Sequence, residues 1–343
     1  MNTTVNQPLD VLTWHIHGSY LYYLVQSSHH FYLPVKEGRP EGYGGRPPGG
    51  FPWPENVHEV PAEDVRNLNL DCILFQSRKN YFEDQYEILS EEQQALPRVY
   101  LEHDPPREHP TDTPHPVDDP NILLVHVTHF NNLMWDNRHT PTMVIEHGVI
   151  VPENVHYTGE LDRGLVVVNG LASRGRRLGL DVFEKARQHV PLDLVGMKAD
   201  QMGGLGEVSH DKLHEFEAKY RFFFNPIRYT SLGLAVCEAM MIGMPVVGLA
   251  TTEMVTAVEN GVTGYVDTDI ERLIVHMQEL IADPSEARRL GKNASKCARE
   301  RFNITRFIKD WDKAFSLATG ISVNHSFVSK KNRHYQIINW AKS

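Results

Sequence analysis

Between Arg221 and Ala250 the chain reads R-F-F-F-N-P-I-R-Y-T-S-L-G-L-A-V-C-E-A-M-M-I-G-M-P-V-V-G-L-A. The aromatic run Tyr220 to Phe224 predicts a buried strand, closed by Asn225-Pro226. A polar turn, Arg228 to Ser231, leads into a helix expected over Leu232 to Ile242. Gly243 and Pro245 stop that helix before a second buried strand, Val246 to Ala250. Strand, turn, helix and strand make one unit of a doubly wound parallel sheet, in which ligands bind beyond the carboxyl ends of the strands.

The expected helix is apolar on every face, through Leu232, Leu234, Ala235, Val236, Cys237, Ala239, Met240, Met241 and Ile242, and is therefore buried. Glu238 is its one charge. A buried carboxylate needs a partner, a hydrogen bond or a ligand, because an unpaired charge there is very costly. Helical side chains lean toward the N-terminus, so Glu238 can point at the same crevice as the amides of Ser231 to Leu234. Those amides, with Gly233 admitting close approach and the helix dipole behind them, predict an anion site. The plainer reading is a Glu held by a structural Arg with no ligand nearby.

The segment resembles the donor-binding element of family 4 glycosyltransferases, E-G-F-G-L-x-x-x-E-A-M-A-x-G-x-P-V-V. It stands here as Thr230-Ser231-Leu232-Gly233-Leu234, then Glu238-Ala239-Met240, Gly243 and Pro245-Val246-Val247. The resemblance implies that Glu238 binds the ribose hydroxyls of a nucleotide. The family's first Glu, which contacts the donor sugar, is Thr230 here. The resemblance is strong over about 164–318 and thin over the N-terminal half.

Outward from this element, Gly164 to Asn169 predicts another buried strand, followed by Gly170-Leu171-Ala172-Ser173-Arg174-Gly175-Arg176-Arg177 and a helix over Leu178 to His189. Cations at a helix start oppose its dipole, and an anion held between them resolves the conflict. The family carries an Arg and then a Lys before a Gly here to grip the diphosphate. Gly179 matches, but Leu178 stands in the Lys slot, so the role falls by chemistry to Arg174 and Arg177, with Arg176 in reserve. A solvated basic turn is the alternative. Further strands and helices are expected at Leu192 to Met197 and Asp211 to Lys219, and Asn260 to Val266 matches a family hairpin. Glu253 aligns with a family Glu near the crevice, though a helix-start acid explains it equally well.

In the N-terminal half, strands are expected at Leu9 to His15, Phe31 to Val35, Asp71 to Ser77, Arg98 to Glu102, Ile122 to Val127 and Met143 to Glu146. Gly18 follows the first strand, where a glycine lets backbone approach a ligand. The family places a glycine loop near donor phosphate and acceptor at this point. A plain tight turn reads equally well. Lys36 to Val57 is rich in Gly and Pro, and its Tyr43, Phe51 and Trp53 suit stacking on an acceptor, or a surface excursion with its aromatics tucked in. His103, at the end of a strand, resembles the family's interdomain His beside the donor sugar, with Asp104 to orient its ring. The loop after it holds His109, His115, Asp112 and Asp118 in a Pro-rich stretch that fixes no common facing, so no metal is assigned there. His147-Gly148-Val149 resembles the family's N-G-V-D turn.

A chain of 343 residues with 41% hydrophobic and 23% charged residues accommodates two domains with ample cores. The formal charge of -10 argues against nucleic acid as partner. Three scattered cysteines, Cys72, Cys237 and Cys297, suit a reducing compartment. The N-terminal residues lack the pattern of a signal peptide, and no apolar run reaches the roughly 20 residues of a membrane span. The expected location is the cytoplasm. Residues 321–343 carry Lys330, Lys331, Arg333 and Lys342 among Phe327, Tyr335 and Trp340, which suits a peripheral contact with the inner face of a membrane or packing back on the N-terminal domain.

The expectation is an α/β protein of the GT-B class, two Rossmann-like doubly wound domains facing across a cleft: 1–155 on the acceptor side, 156–320 binding nucleotide sugar, and the tail 321–343. The resemblance implies a retaining, metal-independent hexosyl- or related glycosyltransferase acting on a glycan, glycolipid or small-molecule hydroxyl, with a nucleotide-diphosphate sugar as co-substrate and no cofactor. His103, Glu238, Arg174 and Arg177 form the catalytic set. Gly18, Arg176 and Thr230 to Leu234 join Glu238 on the donor. A non-catalytic nucleotide-sugar-binding protein is the second reading, which Thr230 supports. A related epimerase or phosphorylase is the third, and no Schiff-base Lys context favours the phosphorylase.

Overall fold

The computed structural model describes residues 8–46 and 50–320. The chain divides into two compact units, residues 1–146 with 305–343, and residues 147–304. The tail 321–343 lies outside the described residues.

The first unit holds a seven-stranded sheet: β1 (Asp10–Thr13), β2 (His30–Val35), β3 (Val57–Pro61), β4 (Cys72–Phe75), β5 (Arg98–Glu102), β6 (Ile122–His126) and β7 (Thr142–Val144). The order is β3-β2-β1-β4-β5-β6-β7, and every pairing is parallel. The order reverses at β1, which pairs with both β2 and β4, so the C-terminal ends of β1 and β4 mark this unit's switch point. β4 and β6 are buried along their length, as strands covered on both faces must be. Leu12, Trp14, Ile73, Phe75, Tyr100 and Leu124 belong to one core cluster. Edge strand β3, Val-His-Glu-Val-Pro, falls just beyond the region read as one long loop. It lacks the apolar run that betrays a central strand, and its polar content and terminal Pro suit an edge.

The second unit holds β8 (Leu161–Val167), β9 (Leu192–Val195), β10 (Tyr220–Asn225), β11 (Val246–Leu249) and β12 (Gly264–Asp267), in the order β12-β11-β10-β8-β9, again all parallel. β10 is the central strand and is buried throughout. Full burial of an aromatic side chain such as Phe222 or Phe224 contributes about 1.5–3 kcal/mol. Residues 264–267, expected in a hairpin, instead extend the sheet parallel to β11.

The expected division at 155/156 and the observed one at 146/147 differ, and the helix Ile304–Thr319 goes largely with the first unit. Its apolar face decides this: Trp311 is fully buried and its indole N–H donates to the Tyr20 hydroxyl at 3.1 Å, while Asp312 pairs with His29 at 3.2 Å. No helix among the described residues is long and apolar enough to cross a membrane.

Candidate functional site

In the second unit β10 ends at Asn225, and a loop over 226–233 leads into the helix Leu234–Ile242. The helix begins two residues later than the sequence predicts, because Gly233 is its N-cap with extended backbone at φ -68° and ψ 137°. From Val236 to Ile242 every residue is buried. At the other end Gly243 takes φ 100°, the left-handed conformation that closes a helix at little cost only for glycine.

The loop is held by its carbonyls. The His147 Nε2 lies 2.6 Å from the Leu232 oxygen, and since a carbonyl only accepts, that nitrogen carries the proton. The Thr252 hydroxyl donates to the Ser231 oxygen at 3.3 Å, and the Thr251 hydroxyl to the Ile227 oxygen at 3.3 Å. Thr252 accepts a left-handed backbone, φ 53°, to do so, a conformation that costs a β-branched residue free energy. These bonds fasten the loop that leads into the helix start. At the helix start the N-cap, Gly233, brings no side chain to the first amides, and the Val236 amide donates to the Gly233 oxygen at 3.0 Å. Replacing the buried His147 with Ala leaves the Leu232 oxygen without its donor; a loss of about 1–3 kcal/mol in urea unfolding is expected.

The basic turn is tied to this loop. The Arg177 oxygen accepts from the amides of Arg228 at 3.1 Å and Tyr229 at 3.2 Å. The Arg228 guanidinium bonds the Arg176 oxygen at 2.7 Å and grips Asp181 through both carboxylate oxygens, at 2.5 and 2.7 Å. Arg176 also pairs with Asp181, at 2.6 Å, with its side chain largely exposed. Arg228, which the sequence offered only as a turn residue, is the organiser. The structure therefore sets the turn bearing Arg174 and Arg177 against the loop bearing Thr230 to Gly233.

Arg228 beside Asp181 holds the Asp181 carboxyl below its usual range. A depressed carboxyl contributes stability that is present above the unfolded value, about 4, and disappears as pH falls through the folded one. The stability difference between wild type and Asp181→Asn is thus expected at pH 7 and should close below about pH 4, as read by urea unfolding at both pH values.

Glu238 is 3% exposed and lies among polar residues of the helix His210–Glu217. One ligand atom each from His210, His214 and Glu238 lies within 4.8 Å of the others. Glu217, on the same helix, is fully buried, and burial followed by the Glu238 charge pushes its carboxyl well up. Burial and then the His210 charge push His214 down to about 4. These histidines went unremarked in the sequence, although an i, i+4 pair on a helix was legible as a shared face. Glu253 bonds Thr256 at 2.6 Å and Arg301 at 3.1 Å.

Gly18 and His103 belong to the first unit and come together there. His103 Nε2 lies 3.2 Å from the Gln76 side-chain oxygen, and the Gln76 amide in turn donates to Thr13 and to the Trp14 carbonyl. The His103 ring sits 4.0 Å from that of His17 and 4.9 Å from that of Tyr20, which flank Gly18. Gln76 is thus an orienting group the sequence did not suggest, and the Asp104 carboxylate pairs with Arg107. Tyr43, expected to face an acceptor, is buried beneath Lys36, whose ammonium lies 4.0 Å from the ring centroid. Phe51 packs on Tyr22 at 5.0 Å and Trp53 on His15 at 5.7 Å. In the loop after His103 the polar residues disperse: His115 is buried against Glu102 at 3.1 Å, and Asp118 pairs with His139 at 3.1 Å.

Residues 197–297 match the family model described as glycosyl transferases group 1. No curated protein matches the chain. Among solved structures, the sucrose-phosphate synthase of Thermosynechococcus elongatus is similar at 15% identity over 92% of this chain and 100% of that one, with a TM-score of 0.67. HepE of Anabaena, solved with UDP and glucose, is similar at 13% identity over 90% and 100%, TM-score 0.64. A glycosyltransferase of Rickettsia africae follows at 11% identity over 92% and 100%, TM-score 0.64. The chain shares the fold of these proteins, two parallel α/β domains of the GT-B class.

Proposed function

We propose that the second unit binds a nucleotide-diphosphate sugar and that the chain transfers the sugar to an acceptor hydroxyl. The observation that carries this reading is the backbone tie between Arg177 and residues 228–229. It joins the turn bearing Arg174 and Arg177 to the loop that leads into the helix Leu234–Ile242, a loop whose Leu232 carbonyl is already engaged. The match of residues 197–297 to the group 1 glycosyl transferases supports it, as does HepE, a protein of like fold solved with UDP and glucose.

The chemistry follows from charge. The bond between the sugar's anomeric carbon and the diphosphate breaks, a bond to the acceptor oxygen forms, and the acceptor proton leaves. Negative charge grows on the departing diphosphate, and preorganised donors at that point lower the barrier. Arg174, Arg177 and the amides at the start of the helix Leu234–Ile242 are those donors, with no metal required at the phosphates. Gly18 and Thr230 to Leu234 shape the donor's surroundings, Glu238 takes the ribose hydroxyls, and His103 contacts the sugar. Membership of family 4, retention at the anomeric carbon, a hexosyl donor and a glycan, glycolipid or small-molecule acceptor extend the same reading from the resemblance.

Calorimetry of nucleoside diphosphates and their sugars on the whole chain, with and without Mg²⁺, tests it. Binding of one diphosphate class, independent of Mg²⁺ and lost in Glu238→Ala, is the expected result; no binding to any of them overturns the reading. Thr230, where the family has a sugar-contacting Glu, favours one alternative, a nucleotide-sugar-binding protein without transferase activity. Donor binding with neither hydrolysis nor transfer would select that alternative.

A further inference from the structure

The helix His210–Glu217 carries His210, His214 and Glu217 at spacings of four and three residues, which places them along one face. That face meets Glu238 of the helix Leu234–Ile242, and ligand atoms of His210, His214 and Glu238 gather within 4.8 Å. Two of the four groups bury polar atoms that have no hydrogen-bond partner. The His214 Nε2 has no hydrogen-bond partner, and neither do the two carboxylate oxygens of Glu217. His214 is 4% exposed and Glu217 fully buried. Buried polar groups are nearly always satisfied, so two orphaned ones on one helix face, one of them in the cluster with His210 and Glu238, point to a ligand.

We propose that His210, His214 and Glu238 bind a divalent transition-metal ion of the zinc type, with Glu217 beside them to complete the charge balance or the fourth ligand position. Imidazole and carboxylate are the donor set such ions take, three protein ligands commonly with one further position. Ligand atoms around one tetrahedral ion lie roughly 3.3 Å apart, so side-chain rotations of about an ångström close the site from the separations present. The charges also balance: two carboxylates neutralise a dication, and the histidines bind as neutral rings, which is how a low-dielectric interior holds a metal. The ion would pin the two helices together and fix the rotamer of Glu238, which can keep one carboxylate oxygen for a ribose hydroxyl. The site goes beyond the donor reading and shares only that side chain with it.

The test uses the whole chain, free of any histidine tag. It combines metal content after purification, Zn²⁺ titration of the chelator-treated protein, and the visible absorption of its Co²⁺ form. About one equivalent of metal, a rise in Tm with stoichiometric Zn²⁺ and the intense absorption of low-coordinate Co²⁺ are expected. His210→Gln and His214→Gln should each abolish the Co²⁺ bands and the Zn²⁺-dependent rise in Tm. Folded wild type that takes up neither Zn²⁺ nor Co²⁺ overturns the proposal, as does undiminished binding in both histidine variants. Should either variant fail to fold, Glu217→Gln supplies the second reading through an altered Co²⁺ spectrum, and an unchanged spectrum in that variant removes Glu217 from the site. Nucleoside-diphosphate binding is measured on the same wild-type protein, so failure of the metal site and failure of the donor site are separate outcomes.

Discussion

A chain carrying both Arg174→Glu and Arg177→Glu is expected to lose nucleoside-diphosphate binding by at least about a hundredfold while remaining folded. Hydrogen bonds to charged groups contribute about 1.5–3 kcal/mol each, and reversal adds repulsion to their loss. The substitution isolates charge from geometry because the tie to the loop runs through the Arg177 carbonyl, which accepts from Arg228 and Tyr229 whatever side chain position 177 carries. The Arg228–Asp181 pair also remains. Titration calorimetry with a nucleoside diphosphate, next to a urea unfolding curve, gives both halves of the result. Affinity unchanged within a factor of two would assign these arginines to the solvated surface and remove them from the donor site.

Gly179→Ala should do the converse, keeping every charge and breaking the placement. Gly179 adopts φ 82°, which costs a residue with a Cβ roughly 1–2 kcal/mol. A Cβ there would lie 1.9 Å from the Pro226 carbonyl oxygen, a backbone atom just past the end of β10 that cannot rotate away. One of the two segments must move, and both carry the proposed donor site. A destabilisation of about 3–5 kcal/mol is expected, in the range that a strained backbone combined with a core displacement produces. The urea midpoint measures it, and donor affinity should fall in whatever folded protein remains. An unfolding midpoint equal to wild type would show that the close approach of Gly179 to Pro226 does not set the position of the basic turn.

The parallel α/β class was legible because its signal is local. The buried runs Tyr220 to Phe224 and Val246 to Ala250 each need covering on both faces, and one apolar helix flanked by Gly and Pro joins them. The helix start slipped by two residues because Leu232 fits the apolar pattern; Gly233, with extended backbone, is the cap. Polar and short elements were illegible for the opposite reason. Edge strand β3 has too little apolar surface to announce itself, and Tyr43 looked like a binding aromatic until burial took it.

The sequence by itself determined the class of fold, the central element 220–250 and the presence of a glycine, arginines and a lone buried Glu near it. Only the tertiary structure decided what those residues touch. His147 holds the Leu232 carbonyl across 85 residues, Arg228 grips Asp181 across 47, and His210 and His214 meet Glu238 from a neighbouring helix. Periodicity reports which face of an element is buried, because burial repeats with the backbone's own spacing. It carries no information about which distant polar group will arrive there, since that depends on how sheets and helices stack and on hydrogen bonds that form only once they have.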